Sequence, residues 1–220
     1  MTVQLFVGLH SEGSTDFRFL ESLVERTFWD VGKDCNLSIE IIINQIKINK
    51  SGLNFTEQVL EAARKGTNDF GISVLCVHTD SDDDNDTRAF DKINDAIQAL
   101  KAQKDNSCQL ITAVVPIQMI ESWMLADKEL LKSEIGTDKS NADLGISRSP
   151  ESIANPKNLI ENAIRIAREG LPKRRRKELV IGELYSSIGS KISIEKLNHL
   201  SSFQKFRTGV VTTFQKLNYM

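Results

Sequence analysis

Apolar residues along this chain follow two rhythms. Short unbroken runs rich in β-branched residues alternate with longer stretches in which apolar positions recur every three to four residues. The first rhythm marks strands covered on both faces, and the second marks amphipathic helices packed against them. Residues 3–9 form the first run, which ends in the polar turn His10-Ser11-Glu12-Gly13. Ser14 or Thr15 is placed to cap the helix that follows, where Phe17, Phe19, Leu20, Leu23, Val24 and Phe28 share a helical spacing. Residues 37–48 predict a second strand carrying Ile39, Ile41, Ile42 and Ile43, with Gln45, Lys47 and Asn49 alternating in its distal half until Gly52 breaks it. Asn54 or Thr56 then opens a helix with Val59, Leu60, Ala62 and Ala63, for which Lys65-Gly66 is the expected glycine stop.

The third run, Ile72 with Val74, Leu75, Cys76 and Val77, stops abruptly in Asp80-Ser81-Asp82-Asp83-Asp84-Asn85-Asp86. A helix over residues 86–101 follows, with Phe90, Ile93, Ile97 and Leu100 on one face, and residues 110–116 make a fourth strand. Strands alternating with helices predict an α/β fold with a mainly parallel four-stranded sheet, flanked by helices and joined by right-handed crossovers.

After Pro116 the rhythm changes. Residues 117–126, with Ile120, Trp123, Met124 and Leu125, read as a helix that Lys128 to Leu131 extend, and residues 136–154 read as a polar loop. Pro156 starts an amphipathic helix that runs to Ile166 and is stopped by Gly170 and Pro172. Residues 173–220 are expected to be helical, with Ile194, Leu197, Leu200, Phe203, Phe206, Val210, Val211, Phe214 and Leu217 as core positions. The expected organisation is a core over residues 1–130 and a helical extension over residues 131–220 packed on it. No internal repeat is present.

Composition narrows the function classes. With 28 basic and 30 acidic residues the formal charge is -2, so any site for nucleic acid must be local rather than a global field. The three cysteines lack the spacing of a disulfide framework or a zinc knuckle. No basic leader and no run of about 18 apolar residues is seen, so a cytoplasmic protein without membrane contact is expected.

The chemistry gathers at the acid-tipped third strand. In open α/β sheets ligands bind outside the carboxyl ends of the strands. Carboxylates packed this closely repel one another by on the order of a kcal/mol or more per pair outside bulk water, and a hard divalent cation relieves that repulsion. For Asp83, Asp84 and Asp86 a solvated turn is the plain alternative. A calcium loop is a rival, because Asp80, Asp82, Asp84 and Asp91 stand where such loops place ligands. Against it, Asn85 replaces the turn glycine, Asp91 replaces the usual Glu, and a strand leads in.

Glu12-Gly13 after the first strand and Asp80-Ser81-Asp82 after the third, in a β-α-β-α-β-α-β order, resemble the Toprim superfamily. Glu121-Ser122-Trp123-Met124-Leu125-Ala126-Asp127 and the closing segment from Ser202-Phe203 to Leu217 look like those of small stand-alone Toprim-like proteins, similar to the nuclease half of the overcoming-lysogenization-defect (OLD) family. The likeness covers residues 1–130 well and the tail only by its helical character. It implies a Rossmann-like Toprim core and cleavage of nucleic-acid phosphodiesters with one or two Mg²⁺ or Mn²⁺ ions. It also implies bacterial anti-phage defence beside an ABC- or AAA-type ATPase partner, with DNA ahead of RNA as substrate and the oligomeric state open. In that scheme Glu12 is a metal ligand or general acid/base, and Asp80 and Asp82 are metal ligands. Asp16 is either an outer ligand or a first-turn acid favoured by the helix dipole. Primase-like nucleotidyl transfer would use much the same metal site. The reading from another class is a non-catalytic regulatory or interaction module holding Ca²⁺ or Mg²⁺.

Glu121 and Asp127 can each close a second metal site or salt-bridge a neighbouring helix. His10 and His78, at two strand ends, are packing residues more readily than catalysts. Lys173, Arg174, Arg175, Arg176 and Lys177 form the dense basic run and the candidate backbone-phosphate contact, with a solvated turn as its plain alternative. Trp29 and Trp123 read as core or interface.

Overall fold

Four parallel strands form the centre of the computed structural model, which describes residues 2–103, 105–176 and 178–220. Their order is β2 (Ser38–Gln45), β1 (Thr2–His10), β3 (Val74–His78) and β4 (Ile111–Val114). The register pairs Val7 with Val74 and His10 with Val77, so the tips of β1 and β3 end side by side. β3 is buried along its whole length. Val74 and Cys76 face one apolar layer while Leu75 and Val77 face the other, which is why its sequence shows no alternation.

Helix α1 (Ser14–Gly32) lies on one face; α2 (Phe55–Phe70) and α3 (Thr87–Ala102) pack together on the other. The chain leaves β1 toward one edge and later returns to β1's other side as β3. This puts the switch of strand order between β1 and β3, the place where such sheets open a crevice.

The second half of the chain shares the core of the first. It folds into α4 (Glu121–Met124), α5 (Lys128–Ile135), α6 (Pro156–Ala167), α7 (Lys173–Arg176), α8 (Leu184–Lys191), α9 (Ile194–Leu197) and α10 (Ser201–Lys216). Leu197, Leu200, Phe203, Phe206, Val210 and Phe214 are buried with residues of β1, α1 and β3 in one cluster. Burial of each such large side chain contributes roughly 1.5–3 kcal/mol. Trp123 is a core residue, stacked on Phe206 and edge-on to Phe203, with its indole N–H donating to Ser202 Oγ at 2.7 Å. Trp29 is 50% exposed.

Several boundaries differ from the sequence expectation. Helix α2 does not stop at Gly66 but runs to Phe70, where Gly71, at φ 62°, supplies the left-handed cap. Gly66 is small for another reason, since a Cβ there would stand 2.4 Å from Ile72 Cδ1. The α1 cap is Gly13 rather than Ser14 or Thr15, with Asp16 reaching back to the Gly13 N–H. The helix expected over residues 117–126 shrinks to α4 because Pro116 and Gln118 are tied to the acidic turn. Ser81 N–H donates to Pro116 O, Asp82 N–H to Gln118 O, and Gln118 N–H to Asp83 O. The tail expected to be helical is divided into α7, α8, α9 and the 16-residue α10, and a 3-10 turn over Pro150–Ser152 interrupts the expected loop. Among the described residues no helix is long and apolar enough to cross a membrane.

Candidate metal centre at the sheet rim

Glu12 leaves the tip of β1 in the turn that opens α1, and Asp80 leaves the tip of β3 two residues past its end. The strands are neighbours, so the turns meet. Thr79, buried between His78 and Asp80, donates its hydroxyl to Glu12 Oε1 at 2.5 Å. That bond holds the exposed Glu12 side chain against the β3 tip. Lys50, beyond β2, reaches the same turn from the other side, its ammonium donating to Ser11 O at 2.9 Å and Glu12 O at 2.8 Å. Burial lowers the Lys50 pKa, while the charges of Glu12 and Asp16 oppose that shift.

Beneath these acids lies His78, 1% exposed. Its Nε2 is 3.2 Å from Asp80 Oδ1 and its Nδ1 is 3.8 Å from Asp16 Oδ2. Both are ion-pair contacts, and beyond them the two ring nitrogens and Asp80 Oδ1 have no hydrogen-bond partner among the described residues. Burial pushes the imidazole toward neutrality, but Asp80 first, then Asp16 and Glu12, outweigh it and raise its pKa above the ordinary value. The surrounding carboxylates thus favour the protonated form of a buried ring. His10, the neighbouring tip residue, is the opposite case. Burial, with help from Lys50 and His78, lowers it to about 4, against the opposing pull of its contact with Ile46 O. Its Nδ1 stands 3.2 Å from that carbonyl oxygen, which can only accept, so Nδ1 carries the proton.

Glu121 enters from the first position of α4 and is 4% exposed. Burial raises its pKa, the Tyr185 hydroxyl that donates to its Oε1 opposes the rise, and Asp80 adds to it. Asp16 has a structural task, accepting the Gly13 N–H at 2.7 Å while facing His78.

The rest of the acidic turn diverges. Asp82 is exposed at φ 53°, and its carboxylate makes no hydrogen bond or ion pair among the described residues. Asp83 and Asp84 serve the turn, Asp83 Oδ1 accepting from Asp84 N–H and Asp84 Oδ1 from Asn85. Asp86 is buried in an ion pair with Lys205 of α10 at 2.7 Å. Asp91 is exposed on α3 and a strand leads into the turn, an arrangement unlike a helix-flanked calcium loop. Asp127 caps α5 and pairs with Lys196 at 2.6 Å. Among the described residues, no three His, Cys, Asp or Glu side chains stand close enough together to hold a metal ion as they are placed.

The donor set nonetheless suits a hard cation. Mg²⁺ is commonly held by one or two carboxylates together with waters and substrate phosphate, not by an all-protein cage. Asp80, whose Oδ1 meets only His78 among the described residues and which adjoins the Thr79–Glu12 contact, is the carboxylate that fits this use.

In the basic run, Arg174 and Arg175 are exposed, and the Arg175 carbonyl accepts from the Arg168 guanidinium. Lys177 and the side chains of Lys173 and Arg176 lie outside the described residues. Sequence reasoning passed over Thr79, Lys50 and Tyr185. Thr79 and Lys50 carry a faint signal, being polar residues at or beyond strand tips.

Residues 11–210 match the family described as a domain of unknown function, DUF4276. The chain belongs to DUF4276. No curated protein and no solved structure matches it. The span matched to DUF4276 runs from the turn bearing Glu12 into α10, so it takes in Asp80, Glu121 and Tyr185 and crosses from the first half of the chain into the second.

Proposed function

We propose that this chain is a divalent-metal-dependent nuclease of the Toprim type, cleaving phosphodiesters at the rim between β1 and β3. The observation that carries the reading is the meeting of Glu12 and the Asp80 turn through the Thr79 hydroxyl, over a buried histidine that Asp80 Oδ1 approaches to 3.2 Å. Asp80 with Glu12, and Asp80 with Glu121, are the carboxylate pairs that would hold Mg²⁺ or Mn²⁺, as one ion or two, with water and substrate phosphate completing the coordination and Asp16 behind them. Asp82, exposed and without a contact to these acids among the described residues, is left outside that set. A bound ion of this kind polarises a phosphate oxygen and makes a water acidic enough to attack it.

The chain's own residues have separable tasks. Glu12, the most exposed of the gathered acids, takes the proton of the attacking water or returns one to the leaving oxygen. Thr79 and Lys50 hold the turn that carries it. His78, whose proton the carboxylates favour, offsets their repulsion when protonated. Arg174 and Arg175 meet the nucleic-acid backbone, where phosphate contacts supply most affinity. DNA ahead of RNA, an ATPase partner and a setting in bacterial anti-phage defence rest on the Toprim and OLD likeness.

The test is cleavage of plasmid, single-stranded DNA and RNA with Mg²⁺ or Mn²⁺, with and without candidate ATPases. Glu12→Gln and Asp80→Asn are expected to lower the rate at least about 100-fold, roughly 3 kcal/mol of barrier. Cleavage unchanged in both variants overturns the reading. Tight Ca²⁺ binding with no cleavage under any condition makes the chain a metal-binding module instead.

A further inference from the structure

Tyr185 lies on α8, in the half of the chain where the sequence offered only a basic run as chemistry. Helix α8 crosses α1 so closely that a Cβ on Gly189 would stand 2.2 Å from the Phe19 carbonyl oxygen. Arg26 of α1 then closes the end of α8, its guanidinium donating to Gly189 O and Ser190 O at 3.1 Å and to Ile192 O at 2.5 Å. The close crossing sets the spacing of the two helices, and the arginine sets the position of α8 along α1. Tyr185 precedes Gly189 by one turn and so shares its face of the helix.

Tyr185 is 3% exposed, and its hydroxyl donates to Glu121 Oε1. The charges of Asp16 and Asp80 also act on the phenol, and burial, Glu121 and these acids together raise its pKa well above the ordinary value. Buried, with its hydroxyl directed at Glu121, this tyrosine is a hydrogen-bond donor rather than a nucleophile.

We infer that Tyr185 is a positioning residue of the acid site: carried by α8 on its docking against α1, its hydroxyl holds the Glu121 carboxylate at the rim shared with Asp80. The inference rests on the reading above in taking Glu121 as a ligand, and it makes the second half of the chain part of the site. A buried carboxylate with no donor is costly, and groups that orient a metal ligand matter almost as much as the ligand.

Tyr185→Phe keeps the ring and removes the donor. Ser187→Ala is the control on the same helix, since Ser187 donates to Glu134 and not to the acid site. In Tyr185→Phe the half-saturating Mn²⁺ concentration, read by electron paramagnetic resonance and by cleavage, is expected to rise about tenfold, while the rate at saturating metal changes less than about threefold. A crystal structure of the variant should show the Glu121 carboxylate displaced, and Ser187→Ala should leave both readouts unchanged. Glu121 unmoved in Tyr185→Phe, or Mn²⁺ dependence identical to wild type, overturns the inference. If the wild type neither binds Mn²⁺ nor cleaves, the nuclease reading falls, and the position of Glu121 in Tyr185→Phe still decides the role of Tyr185.

Discussion

Thr79 donates its hydroxyl to Glu12 at 2.5 Å, linking the turn after β3 to the turn after β1 across 67 residues of sequence. The bond is made at the switch point of the sheet, where two chain reversals of opposite direction leave adjacent strand tips free of crossing connections. Replacing the hydroxyl by a methyl in Thr79→Val keeps the buried volume and removes the donor. The variant should lose about 1–2 kcal/mol in urea unfolding. Its cleavage rate should fall because Glu12 is no longer held at the rim.

The two strand-tip histidines predict opposite pH dependences of stability. His10 has a folded pKa of about 4, below its ordinary value of 6.5, so the unfolded chain binds its proton more tightly between those pH values. Its contribution is therefore present above about pH 6.5 and lost as pH falls toward 4, by on the order of 2–3 kcal/mol. His78 has a raised folded pKa, so its contribution is complete below its ordinary pKa and lost as pH rises through the folded one. Urea unfolding of His10→Asn and His78→Asn against wild type, from pH 4 to pH 9, should show the first difference growing with pH and the second shrinking.

Much of this arrangement was legible in the sequence. The unbroken runs of β1 and β3 announce buried parallel strands, and the abrupt change from Val77 to Asp80 announces a rim, because a strand covered on both faces has no other place for carboxylates. Boundaries were less legible where a residue serves tertiary packing. Gly66 reads as a helix stop but is small because Ile72 and Ile46 press on it. Asp82 looks equivalent to Asp80 on paper; with a left-handed backbone tied through Gln118 it is exposed, and its carboxylate makes no hydrogen bond or ion pair among the described residues. Tyr185 meets Glu121 across 64 residues, and no local spacing encodes such a contact.

The docking of α8 on α1 can be tested at Gly189. A methyl there meets the Phe19 backbone, which has no rotamer to move, so Gly189→Ala should cost about 1–3 kcal/mol in thermal or chemical unfolding. Gly182→Ala meets nothing within 4 Å and should shift stability by less than about 0.5 kcal/mol.

Asp80 and Asp82 should separate in activity. Asp80 faces His78 at the gathered rim while Asp82 faces solvent. Asp80→Asn is expected to cost at least about 100-fold in cleavage, and Asp82→Asn less than about tenfold, a gap of more than about 1.4 kcal/mol in barrier. Circular dichroism of both variants checks that the fold is kept.

The central claim is that Glu12 and Asp80 share a divalent cation. Anomalous diffraction from a crystal soaked in Mn²⁺ measures this directly. The account predicts a peak between the Glu12 and Asp80 carboxylates, reduced or gone in Asp80→Asn. A saturating soak that leaves this position empty while Mn²⁺ binds elsewhere on the chain would contradict it.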